Sequence, residues 1–144
     1  MECLKVKFPE VSSVVPKKPG LYEIYTNDGL ALKVGISNNL RRRLLQHFAS
    51  RQKSLKLRVG GNWSNPDDVV SKSSILAKHL YFSNDFHEYD LKTEDGRKLF
   101  LEKSCFIIFT VTRTRDEARV LEKAKESEAK FKFVGKADIS SIST

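Results

Sequence analysis

The chain has 144 residues, 40% hydrophobic and 31% charged, with 26 Lys+Arg against 18 Asp+Glu and a formal net charge of +8. These proportions fit one soluble globular domain, and no apolar run approaches membrane-spanning length. Cys3 and Cys105 lie far apart without CxxC or Cys/His spacing, which excludes a disulfide framework and a zinc motif and points to a reducing cytoplasm.

The opening residues MECLKVKFPE carry no apolar segment of the secretory-signal type, and residues 4–8 read as a short leading strand. Pro16-Lys17-Lys18-Pro19 is a rigid lead-in. Residues 21–26 and 30–36 are then two β-prone runs flanking Asn27-Asp28-Gly29, a strong hairpin signal. Ser37, Asn38 and Asn39 offer helix N-caps, and Leu40, Leu44 and Phe48 recur at helical spacing. The unit is a hairpin feeding a helix, with Arg41, Arg42, Arg43 and His47 near the start of that helix.

Residues 55–59 suggest another short strand, and residues 60–68 form a loop by composition. Trp63 in that loop has two readings, stacking on a base or packing over the domain edge, and the second is commoner. Residues 71–82 read as a helix with Ile75, Leu76, His79 and Leu80 on one stripe, which makes His79 a core histidine. Residues 84–89 form a turn, with His87-Glu88 a loop pair. Thr93 caps a helix to about Lys103 despite Gly96. Residues 105–111 are apolar on both faces, as in a central strand covered on both sides. Thr114 and Glu117 have capping-box spacing, opening a helix to about Lys130. Residues 131–133 add a short strand, and residues 137–144 are a polar tail expected to fray. These elements make a single domain over residues 1–136, a small α/β layer with one buried strand.

Charge clustering narrows the partner. Arg41, Arg42, Arg43, Arg51, Lys53, Lys56 and Arg58 form one basic tract, and Lys123, Lys125, Lys130, Lys132 and Lys136 form another. Such tracts favour a polyanion, because phosphate contacts release condensed counterions. Simple solubility is the bland alternative.

The ordered set Gly20-Leu21-Tyr22, Lys33-Val34-Gly35, Asn39-Leu40, Arg43, His47 and Glu117-Ala118-Arg119-Val120-Leu121-Glu122 resembles the GIY-YIG nuclease domain over about residues 17–126. The resemblance implies an α+β fold, a three-stranded antiparallel sheet flanked by helices. It implies a divalent-metal-dependent endonuclease acting on DNA, although the charge argument applies equally to RNA. In that reading Tyr22 orients or deprotonates the attacking water and Arg43 binds the scissile phosphate. His47 hydrogen-bonds in the site or touches phosphate, and Glu122 is the metal ligand for Mg²⁺ or Mn²⁺. By their place in the basic tract Arg41, Arg42, Arg43 and Arg51 contact nucleic acid, with Arg41 and Arg42 read as solvated arginines or non-specific backbone contacts.

Each residue also has a structural reading. Tyr22 is equally a sheet tyrosine with its ring in the core. His47 is equally a helix-boundary histidine, and Glu122 an ion-pair partner of Lys125 or Arg119. Two departures from the family pattern stand out. Lys33 occupies the place of the second motif tyrosine, where it is a base, a phosphate anchor or a mark of lost activity. No asparagine follows Glu122. The alternatives to a nuclease are therefore a binding module that does not cut and an interaction domain for an acidic protein. Specificity is left to an insertion at residues 53–72, a partner protein or a homodimer.

Overall fold

The computed structural model describes residues 3–51, 55–71, 75–83, 85–128 and 130–132. Its elements are β1 (Cys3–Val6), a 3-10 turn (Phe8–Glu10) running into α1 (Val11–Val14), β2 (Gly20–Thr26), β3 (Ala31–Ser37), α2 (Leu40–Ala49), β4 (Leu55–Leu57), a 3-10 turn (Pro66–Asp68), β5 (Val69–Ser71), α3 (Ile75–Tyr81), α4 (Glu94–Ser104), β6 (Cys105–Val111) and α5 (Arg115–Glu126). Among the described residues no helix is long and apolar enough to cross a membrane.

The hairpin closes with Thr26 N–H donating to the Leu30 carbonyl at 2.9 Å, and Gly29 takes φ +96°, which a side chain would disfavour. Asn39 caps α2 by accepting from Arg42 N–H, Thr93 caps α4 through Gly96 N–H, and Thr114 caps α5 through Glu117 N–H. Glu117 reaches the backbone of Arg113 rather than that of its own cap residue.

All pairings in the main sheet are antiparallel, in the order β1-β6-β2-β3. The sheet therefore has four strands rather than the expected three, because the leading segment pairs with the far side of β6. A second, two-stranded sheet joins β4 to β5, with Leu55 opposite Ser71 and Leu57 opposite Val69. This corrects the start of the helix expected over residues 71–82: Ser71 lies in β5, residues 72–74 lie outside the described residues, and α3 runs Ile75–Tyr81. The β-branched pair Val69-Val70 takes the strand instead, and Val69 and Leu55 bury their side chains there. At the other end α5 stops at Glu126, short of Lys130. The following segment passes beside β3 with one backbone bond, Lys132 N–H to the Ala31 carbonyl at 2.9 Å, instead of forming a strand. Phe133 and the tail at 137–144 lie outside the described residues.

Register decides the layers. Tyr22 stands opposite Phe109 and Ile24 opposite Ile107, so these four share one sheet face. They form the main core with Leu40 and Leu44 of α2 and Phe100 and Leu101 of α4. Burying each such side chain contributes about 1.5–3 kcal/mol. Glu23 points to the opposite face, where its carboxylate accepts from Tyr25 Oη–H at 2.7 Å and pairs with Lys125 of α5 at 3.5 Å. On that face Phe106 and Ile108 of β6 are half-buried and Thr110 is buried, with Phe106 stacked on Tyr25. The strand is thus covered more completely on the core side. Edge strand β3 is flanked by α2 and α5, and the chemistry-bearing side chains collect there.

Candidate active site

Tyr22 and Gly35 are cross-strand partners in the hairpin. A Cβ at Gly35 would run into the Tyr22 ring and hydroxyl. The second motif glycine is therefore glycine because the first motif tyrosine occupies its side-chain space. The phenol reaches His47, on the third turn of α2, with Oη 2.7 Å from Nε2 and ring centroids 5.3 Å apart. Both side chains are fully buried.

Burial decides their charge. It raises the Tyr22 phenol above its usual range, an effect the nearby Arg43 guanidinium partly opposes. It drives the His47 imidazole well below its ordinary value, and Arg43 and Lys33 push it the same way. Both rings are neutral at pH 7. One of the two groups therefore donates and the other accepts across this bond.

Arg43 lies one turn before His47 on α2 and is half-buried. It is within hydrogen-bonding reach of the Tyr22 phenol, and its Nη1 donates to Gln46 Oε1 at 3.2 Å. Lys33 is 3% exposed, so its ammonium has lost most of its hydration. Burial first, then Arg43, pulls its pKa down to about 8, while Glu122 and Glu126 act in the other direction. Glu122, half-buried on α5, is held above the usual carboxylate range by burial and by Glu126 one turn on. Its neighbour Lys125 is engaged with Glu23, which removes the simplest ion-pair reading of Glu122.

Tyr22, Lys33, Arg43, His47 and Glu122 thus come from two strands and two helices to one place. Tyr22 and His47 touch, and Arg43 and Glu122 are close enough to act on the titration of Lys33. The arrangement offers a buried phenol–imidazole pair, two cations and an accessible carboxylate. The other arginines lie elsewhere. Arg41 is tied down by its Nε donating to the Val15 carbonyl at 2.7 Å, while Arg42 and Arg51 are exposed. His79 is buried in α3, with a pKa pulled down to about 3 chiefly by burial. Trp63 packs 5.9 Å from the Tyr81 ring, which favours the domain-edge reading.

The metal expected from the resemblance has a plain test. Among the described residues no three His, Cys, Asp or Glu side chains gather to form a closed site. What is present is one half-buried carboxylate whose charge is disfavoured by burial and by a second carboxylate. That donor set suits a hydrated divalent ion such as Mg²⁺, which takes one or two protein carboxylates and keeps waters and substrate oxygens as its other ligands.

Sequence reasoning did not single out Gln46 as the partner of Arg43, although their i,i+3 spacing on a helix is a readable signal. A family model described as the GIY-YIG catalytic domain matches residues 18–137. Comparisons with curated proteins and with solved structures return no match.

Proposed function

The chain belongs to the GIY-YIG family of nucleases, and on that footing we propose that it is a divalent-metal-dependent endonuclease hydrolysing phosphodiester bonds in DNA. The observation that carries the reading is the buried Tyr22–His47 hydrogen bond of 2.7 Å, set beside Arg43, Lys33 and Glu122.

Each residue has a role its environment suits. Neutral His47 fixes the Tyr22 phenol, and Arg43 holds the same group from the charged side. The phenol oxygen is thereby oriented toward the attacking water. Lys33, with a pKa near 8, divides its population at neutral pH between an amine that accepts a proton from water and an ammonium that binds phosphate. Arg43 presents a forked guanidinium to the charge that builds on the scissile phosphate. Glu122 would hold the divalent ion, which when bound supplies charge stabilisation at the phosphate and leaving oxygen. Burial and Glu126 disfavour its ionised form, and a bound cation would offset that cost.

A second reading has its own observation. Lys33 stands where the family pattern has a tyrosine, and no asparagine follows Glu122. Those departures favour a module that holds nucleic acid without cutting it. Nicking of supercoiled plasmid at low salt separates the two. The nuclease reading expects open-circular product with Mg²⁺ or Mn²⁺ and none with a chelator. Salt-sensitive DNA binding with no nicking under any metal would instead establish the binding module.

A further inference from the structure

Four of the cations that the active site leaves out gather at one place on the surface. Lys17, Arg41, Arg42 and Arg51 line one open groove of about 460 Å³, floored by Leu45 and Ala49. Arg42, Leu45, Gln46 and Ala49 recur at i, i+3, i+4 and i+7, so the groove runs along one stripe of α2. The stripe carrying Arg43 and His47 is adjacent to it. Among the described residues, no acidic side chain lines the groove and no carboxylate lies within ion-pair distance of these four cations.

The groove is built rather than incidental. Segment 15–18 is fastened to the start of α2 by Leu40 N–H to the Lys18 carbonyl at 3.0 Å and Arg41 N–H to the Pro16 carbonyl at 3.3 Å. Arg41 Nε adds a bond to the Val15 carbonyl at 2.7 Å. These bonds hold Lys17 opposite Arg42. They also satisfy the helix N-terminal donors, together with Asn39 accepting from Arg42 N–H. The attraction for an anion therefore comes from side-chain cations rather than from free N–H groups. Gln46 lies on the groove wall and accepts the hydrogen bond of Arg43, so the groove borders the candidate active site at Arg43.

We propose that this groove holds the phosphodiester backbone of the substrate DNA flanking the scissile phosphate. Resting on the nuclease reading, it assigns the path of the strand away from Arg43. Charge complementarity and continuity with Arg43 select the occupant. Several cations in a row along an apolar strip match a strand whose phosphates alternate with sugar edges. The contacts position the strand and carry no sequence information.

The test measures binding of a short fluorescent DNA duplex across a salt series in the presence of chelator, so that cleavage plays no part. Two triple variants are compared with the native protein. Lys17→Gln/Arg42→Gln/Arg51→Gln removes three of the groove's four cations, and Lys98→Gln/Lys103→Gln/Arg113→Gln removes the same charge from exposed positions elsewhere. The groove variant is expected to reduce the slope of log affinity against log salt by about 2.7, at about 0.9 per lost phosphate contact, while the control stays close to native. Leu45→Glu, which places a carboxylate on the floor, is expected to weaken binding at least about tenfold at moderate salt without moving the melting temperature. Equal slopes in the two triple variants would overturn the proposal. So would native affinity for polyglutamate equal to that for DNA and lost in the groove variant, which would assign the surface to an acidic protein. A reduced slope with no metal-dependent nicking would leave the groove standing and remove the nuclease reading.

Discussion

Arg43→Ala is expected to lower the single-turnover rate of DNA cleavage at saturating DNA by about 10²–10³-fold, the loss typical of removing one preorganised charge-stabilising donor. Arg43 is the natural group for this role. It is half-buried, its field lowers the titration of both Lys33 and His47, and it lies against Tyr22. Lys33 is the other nearby cation, but with a pKa near 8 it is partly neutral at working pH and replaces Arg43 poorly. Arg43→Lys restores a point charge without the planar fork, so it recovers only part of the loss. The split between rate and affinity is the diagnostic. Binding in chelator falls only by about one unit of salt slope, the worth of one phosphate contact. A variant that loses affinity and keeps the native saturating rate would reduce Arg43 to a backbone contact.

Arg97→Met is expected to cost about 3 kcal/mol of folding stability, read as a lower urea midpoint with unchanged slope. Arg97 is completely buried on α4. Its Nε donates to Ser50 Oγ at 3.0 Å, its Nη1 to the Leu91 carbonyl at 3.1 Å and its Nη2 to the Ser50 carbonyl at 2.8 Å. Ser50 is the C-cap of α2 and takes φ +46°, a left-handed conformation uncommon for a side-chain-bearing residue. One guanidinium therefore fastens the end of the helix that carries Arg43 and His47. Methionine roughly fills the volume and leaves buried acceptors without donors, each costing about 1–3 kcal/mol, partly offset by no longer burying a charge. A midpoint within error of native would show that these bonds contribute no net stability.

Local signals carried much of this architecture. Asp28-Gly29 between two β-prone runs specified the hairpin, and Asn39, Thr93 and Thr114 marked three helix starts. The core role of His79 was legible from its apolar stripe. Three structural features were not legible, each because a distant partner decided it. The leading strand was read at residues 4–8, but its place as the fourth strand of the main sheet was not, because it depends on residues 3–6 finding the free side of β6, about a hundred residues away in sequence. Ser71 lies in a strand because Leu55 stands opposite. Arg97 reads as one more basic residue on an exposed helix until Ser50 and Leu91 close around it.

The site divides in the same way. Spacing on α2 placed Arg43 and His47 on one side of the helix, and the motif order nominated Tyr22, Lys33 and Glu122. That the Tyr22 phenol reaches His47, that Gly35 makes room for it and that Lys33 loses its hydration are consequences of packing across the hairpin. The division of the arginines, with Arg43 toward the site and Arg42 and Arg51 along the groove, required the helix phase and the placement of Lys17.

The most direct test of the central claim is nicking of supercoiled plasmid by native protein and Glu122→Gln side by side, with Mg²⁺ or Mn²⁺. Glutamine keeps the size of the side chain and removes the charge that would hold the ion. The account predicts metal-dependent open-circular product from the native protein and none above buffer from Glu122→Gln, with both proteins binding the plasmid. Nicking by Glu122→Gln at the native rate would contradict it.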